Sequence, residues 1–472
     1  MILIQKYFLL VSFLVSLSCN AQKSTVVVKE SENEIAFPGA EGFGKYTTGG
    51  RGGKIFIVSN LNDKGPGSFR EAAEAKEKRI IVFAVSGTIH LESKLSIKGD
   101  VTIAGQSAPG DGICFADNSV SLAGDNIVVR YLRFRMGDKY QNGGMLDGNG
   151  ADDAFGAVRR KNIMIDHCSM SWSTDEVFSM YAGDSTTLQW NLISEPLNYS
   201  YHFETGDKDY EHHGFGGIWG GMNLSAHHNL FAHCISRTPR FNGIRHTPSE
   251  LVDYRNNVIY NWGHNNVYAG EGGHYNIVNN YYKYGPGTNK NVRYRIANPG
   301  KNETIGFGKW FVDENFVDGA KDFSKNNWLG IDMPKESSEA DKKELIQGKP
   351  FAADPIPAQS ATEAYEAVLK YVGASFSRDT LDERIINDVK YRTGQFIDVQ
   401  GGFPHGTAYD LTINAWPALK SFPAPVDNDK DGMPDDWEKK NGLNPSDAAD
   451  AVGYKISNRY TNIEVYLNSL LK

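Results

Sequence analysis

From Ala36 onward the chain is written in short apolar runs broken by Gly, Asn and Asp. The runs at 80–85, 101–103, 127–134, 163–165, 187–190 and 251–254 are each a few residues long and read as strands. No strong helical periodicity separates them. That excludes a doubly wound α/β sheet, in which a helix must cross between neighbouring parallel strands. One small motif recurs after the strands: His167-Cys168, Asn191-Leu192, Asn229-Leu230, Asn257-Val258 and Asn280-Tyr281. Successive copies lie roughly 23 to 38 residues apart, within the range of stacked repeats. In a parallel β-helix each coil lies above the last, so equivalent asparagines can hydrogen-bond along the axis. The expected fold is therefore all-β, a parallel β-helix with variable loops on one face. The longest loop, 195–217, is rich in Tyr, His, Asp and Gly. A β-sandwich with chance asparagines is the competing topology.

Past residue 330 the pattern changes. Ser360-Ala-Thr-Glu363 has the form of a capping box, and Tyr365, Val368, Leu369 and Val372 follow at helical spacing before Gly373. This predicts a helix that covers the end of the solenoid or lies along its side. Phe422-Pro-Ala-Pro425 marks a boundary, and the stretch from Asp427 to Glu438 follows it. Asp427, Asp429, Asp431, Asp435 and Glu438 fall at positions 1, 3, 5, 9 and 12 of an EF-hand-like calcium loop, with Gly432 at 6 and Met433 at the backbone-carbonyl position. A structural Ca²⁺ pinning a small C-terminal unit is expected; a solvated acidic linker is the bland alternative. The organisation reads as 1–21 export signal, 22–35 flexible leader, 36–330 β-helix, 331–421 covering region with a helix, and 422–472 calcium-loop unit.

Lys6 precedes an apolar run at 7–17 that is too short to anchor the chain in a bilayer permanently. Two processing readings stay open: cleavage after Ala21, or acylation of Cys19 as in a bacterial lipoprotein. The protein is thus expected to be secreted, periplasmic or held at the outer membrane, touching a membrane only through Cys19. Cys114, Cys168 and Cys234 sit in apolar contexts and read as buried free thiols. A formal net charge of −8 argues against nucleic acid, whose phosphates need a basic face. Against that acidity, the tight pair in Ser236-Arg-Thr-Pro-Arg240 stands out as a local site for an anion.

Several ordered motifs resemble the pectate lyases of polysaccharide lyase family one. They are the opening Ala36-Phe-Pro-Gly-Ala-Glu-Gly-Phe-Gly44, the runs Gly49-Gly-Arg-Gly-Gly53, Ser59-Asn-Leu-Asn-Asp63 and Gly67-Ser-Phe-Arg70, the strand motif Ile165-Asp-His-Cys168, and Arg237-Thr-Pro-Arg240. The likeness spans about 36–287 and implies a right-handed parallel β-helix that cleaves polygalacturonate or pectin with Ca²⁺. In β-elimination a base takes the C5 proton beside a carboxylate whose charge must be neutralised. The resemblance implies Arg237 as that base. Sequence alone gives Arg237 only carboxylate binding, because a guanidinium is ordinarily locked in its protonated form. Arg240 is expected to grip a substrate carboxylate, and His213 to donate to substrate where other lyases use lysine. Asp153 and Asp175 match family positions that carry calcium ligands.

The chain departs from the family pattern twice. A further calcium ligand of the family falls on Ser179, with Asp152 and Glu176 as candidates to compensate. A second arginine of the family falls on Asn242, with Arg245 as its candidate substitute. A bacterial, monomeric pectate lyase is expected. The alternatives are a β-helical polygalacturonase using Asp152 and Asp153, and a pectin-binding surface protein without turnover.

Overall fold

A computed structural model describes residues 34–147 and 152–471. The expected export signal over 1–21, with Cys19, and the leader up to residue 33 lie outside the described residues. From Ile35 onward the chain winds into parallel coils, and each full coil lays a strand in each of three sheets. The first sheet runs from Lys54–Val58 and Arg79–Phe83 through Leu224–His227 to Lys309–Asp313. The second runs from Gly87–His90 through Leu192–Ser194 and Val258–Tyr260 to Phe316–Val317. The third runs from Leu95–Ile97 through Phe155–Val158, Ile218–Gly221 and Arg240–Phe241 to Ala297–Pro299. One long strand, Phe178–Gln189, belongs to both the third sheet and the first. This is the β-helix that the strand-and-asparagine pattern predicts.

Two kinds of stack hold the coils in register. Inside, Phe69, Phe115, Phe134, Phe155 and Phe178 follow one another with ring centroids 4.0 to 5.4 Å apart. At one corner the asparagines form a ladder. Asn191, Asn229 and Asn257 each direct a backbone N–H and a side-chain amide to the Oδ1 of the asparagine one coil on, at 2.9 to 3.0 Å. The ladder starts at the Cys168 amide and continues through Asn280 and Asn315 to Asn327. Every rung is buried, so removing one leaves donors with neither water nor partner.

Ser360 and Glu363 form the predicted capping box at the head of the helix Ala361–Tyr371. That helix lies along the second sheet: Tyr365 stacks on Tyr281 at 4.3 Å, and Lys283 donates to its hydroxyl. The next helix, Thr380–Tyr391, is fastened by a buried ion cluster in which Arg135 binds Asp379 and Asp382. Cys114, Cys168 and Cys234 are buried free thiols, as expected.

Candidate active site

Each coil enters the third sheet through a loop, and the entry residues fall one above another. Phe155 pairs with Phe178, which puts Asp153 opposite Glu176 on adjacent rungs; Glu176 then bridges Phe215, and Phe215 bridges Ser236, the neighbour of Arg237. Backbone bonds tie the rungs together, with the Asp175 N–H on the Asp152 carbonyl at 3.0 Å and the Gly217 N–H on the Arg237 carbonyl at 2.7 Å. Residues more than eighty apart in sequence thus share one edge of the sheet.

Carboxylate oxygens of Asp153, Asp175 and Glu176 lie within 4.8 Å of one another. Asp153 is half-buried, and its carboxyl is pushed well above the usual range, first by loss of solvent and then by repulsion from Asp175; Ser179 and Arg237 pull the other way. For Asp175 burial acts upward too, but the hydrogen bond and charge of His213 outweigh it and leave the group below its usual range. The two acids are therefore pushed in opposite directions, burial and Asp175 disfavouring the charge on Asp153 and His213 favouring it on Asp175.

Arg237 adopts a left-handed backbone conformation, with φ of 59°. Its side chain is 23% exposed, reaches across the face of the Phe215 ring at 4.5 Å, and ion-pairs with Glu176 two rungs away. Only a long side chain spans that separation, since neighbouring rungs are about 4.8 Å apart. His213 does not face outward as a donor to substrate. Its Nε2 sits 2.7 Å from Asp175, and its ring is packed against His202 and Phe215, each at 3.6 Å between centroids. Burial and the nearby His213 lower His202 to about 4, so it is neutral at ordinary pH.

Other expected residues are placed differently. Asp152 pairs with Lys94 at 2.5 Å and accepts the Gln141 side-chain amide at 2.9 Å, outside the trio of Asp153, Asp175 and Glu176. Arg240 begins its own strand in register with Ile218 and Tyr268 and is partly exposed. Arg245 pairs with Glu271 at 2.7 Å. Asn242 is buried and bonded to the Gly243 carbonyl. Asp427, Asp429, Asp431, Met433, Asp435 and Glu438 form a separate group against the first sheet, where Met433 is buried beside Ile80 and Val82. A cleft of about 600 Å³ opens elsewhere, beside Asp166 and Trp190. Its acid is already taken up by Arg130, His167 and Gln189.

Sequence reasoning passed over Phe215, the platform under Arg237, and His202, the ring beneath His213. Both belong to the aromatic and histidine-rich loop at 195–217, whose composition was the available signal.

No protein-family model matches the chain. The probable pectate lyase C of Aspergillus flavus is 34% identical over 448 residues, covering 93% of this chain and 94% of that protein. The chain belongs to the pectate lyase family. The probable pectate lyase C of Aspergillus fumigatus is 34% identical over 467 residues, 97% of each chain. Among solved structures, a Bacillus subtilis pectate lyase variant is 14% identical with a TM-score of 0.49, covering 71% of this chain and 97% of that one. A Bacillus pectate lyase in complex with trigalacturonate is 17% identical with a TM-score of 0.45, covering 71% and 98%.

Proposed function

We propose that this protein cleaves polygalacturonate by β-elimination, with Arg237 taking the C5 proton and with Asp153, Asp175 and Glu176 holding a Ca²⁺ ion. The observation that carries this is the meeting of Arg237 with three convergent carboxylates on one edge of the third sheet. The donor set fits the ion: it is all oxygen, and among the described residues its ion-pair partners are one arginine and one histidine, which suits a hard divalent cation. When bound, the ion supplies positive charge that neutralises the substrate carboxylate and stabilises the developing enolate.

The chain's own residues set the rest. Phe215 supports the guanidinium from one face and keeps it extended over the edge. His213 fixes the Asp175 carboxylate in its ionised form. Ser179 steadies Asp153, occupying the place where a further family ligand would stand. Arg240, partly exposed at the start of its strand, takes a second carboxylate of the polymer in this reading, by a charge-assisted hydrogen bond. A guanidinium acts as base only through its deprotonated fraction, so turnover is tied to alkaline conditions. The reading carries an exported protein whose only membrane attachment would be acylated Cys19, acting as a monomer on pectin outside the cell.

The test follows ultraviolet absorbance of the unsaturated product from polygalacturonate and from methylated pectin, with calcium and with chelator. Arg237→Ala, folded by circular dichroism, is expected to lose about 10²- to 10³-fold in kcat, the scale of one misplaced transition-state group. Full turnover in that variant removes the base assignment. Cleavage to saturated ends would mean hydrolysis, and tight binding without products a non-catalytic pectin receptor.

A further inference from the structure

The loop at 427–438 curls back on itself at Gly432, whose φ is +86° and where an added Cβ would stand 3.1 Å from Val82 and 3.2 Å from Ile55. Glycine is needed there both for the left-handed turn and for the approach to the first sheet. The curl brings oxygens of Asp427, Asp429 and Asp431 within 4.8 Å of one another, and Asp431, Glu438 and Asp450 form a second trio with the same limit. Asp431 belongs to both.

Some of these oxygens serve the loop itself. Asp427 accepts the N–H groups of Lys430, Asp431 and Gly432 at 2.7, 3.2 and 2.9 Å, and Asp431 Oδ1 accepts that of Met433 at 2.8 Å. Asp450 Oδ2 accepts the Asn444 N–H at 2.9 Å. Both oxygens of Asp429, both of Glu438, Asp431 Oδ2 and Asp450 Oδ1 are buried without a hydrogen-bond partner. Glu438 is 0% exposed. Buried carboxylates left unpaired are strongly unfavourable, and six to eight converging oxygens are what Ca²⁺ takes as ligands. Mg²⁺ fits less well, since it keeps several waters and demands a near-ideal octahedron.

We propose that a Ca²⁺ ion seats in this cage, that Asp450 supplies the ligand the loop template assigns to Asp435, and that the ion clasps the C-terminal segment onto the first coils. Asp435 is engaged elsewhere: its carboxylate accepts the backbone N–H of Asn428 at 2.9 Å and the Asn428 side-chain amide. Asp450 starts a short turn whose carbonyl accepts the Asn462 side-chain amide at 2.8 Å. Asn462 opens the helix Asn462–Ser469, which buries Ile463 and Leu467 in one cluster with Met433, Ile80 and Val82. From the same helix, Glu464 reaches Arg51 at 2.9 Å. Ligation by Asp450 thus joins loop, turn and helix, and the helix lies on strands laid down near the chain's beginning. The clasp uses none of the carboxylates near Arg237, so it stands or falls separately from the proposed activity.

Terbium is the probe, because Trp437 adjoins Glu438 and sensitises its luminescence at short range. In the full chain, terbium luminescence excited through tryptophan is expected to disappear in Trp437→Phe and to persist in Asp175→Asn. Calcium competition should show affinity about tenfold or more weaker in Asp450→Asn, and changed less than about threefold in Asp435→Asn. Limited proteolysis of the Asp175→Asn chain gives a second reading that needs no cage variant. Chelator should open cleavage beyond residue 421, and calcium should close it. Unchanged affinity in Asp450→Asn, or equal resistance with and without calcium, overturns the clasp.

Discussion

Beside Arg237 every carboxylate has a protein partner: Glu176 has the guanidinium, Asp175 has His213, and Asp153 accepts the Glu176 amide at 3.3 Å. In the 427–438 loop the corresponding oxygens of Asp429 and Glu438 are buried with none. The first cluster is therefore stable without a cation and keeps an accessible side, since Asp153 and Asp175 are both half-buried. The second would be completed by the proposed ion. An open site of this kind exchanges its metal with substrate and water, whereas a closed cage retains it.

Calcium dependence breaks or supports the contrast most strongly. The concentration giving half-maximal turnover is expected to exceed that displacing half the terbium from the C-terminal loop by about 100-fold, given fewer free charges and a less closed site. Asp175→Asn should raise the calcium needed for turnover by about tenfold and leave the terbium curve in place. If both curves move together, the two clusters are not independent and the contrast fails.

The architecture was legible because its signal is periodic. Asn191, Asn229, Asn257 and Asn280 recur after strands, and the structure joins them in one ladder. The continuation to Asn327 was not legible: it lies only 12 residues beyond Asn315, after the helix Lys321–Lys325, where coil spacing no longer applies. Asp153, Asp175, Glu176 and Arg237 could be picked out by type and by resemblance, and the rungs gather them. The aim of His213 could not be read, since it depends on how the 195–217 loop returns to the sheet and sets His202 behind the ring. Asp450 was invisible for a related reason. A ligand template covers one contiguous loop, while Asp450 arrives from the turn that follows it.

The raised carboxyl of Asp153 gives the comparison a pH signature. Desolvation and repulsion from Asp175 make the calcium-free fold hold a proton there that the unfolded chain releases. That contribution to stability is fully present below the ordinary carboxylate value of about 4 and is lost as pH rises through the elevated value. Calcium binds the ionised form, so its stabilising effect at this cluster grows over the same rise. The calcium-induced increase in Tm for the wild type, minus that for Asp153→Asn, should widen by about 2–4 °C between pH 5 and pH 8. Subtracting the variant cancels the C-terminal cage, which both proteins share. A constant difference across that range would mean that Asp153 is ionised throughout and takes no part in the coupling.

The smallest expected effects separate the two arginines that flank the cluster. Arg240 is partly exposed, and among the described residues its one hydrogen bond runs to the Phe241 carbonyl at 3.3 Å, leaving most of its fork for an incoming carboxylate. Arg245 is 41% exposed and already holds Glu271 at 2.7 Å, so any grip on substrate would first require breaking that pair. Glu271 is buried, so losing this pair leaves its carboxylate without that partner and lowers stability, a cost read in Tm rather than in turnover. Arg240→Gln is expected to raise KM for polygalacturonate about tenfold with kcat nearly unchanged, the pattern of lost uniform binding. Arg245→Gln should change either constant by less than about twofold. A tenfold KM effect in Arg245→Gln would mean that Glu271 releases it when the polymer binds, and that the cationic surface extends along the loop from Arg240 to Arg245.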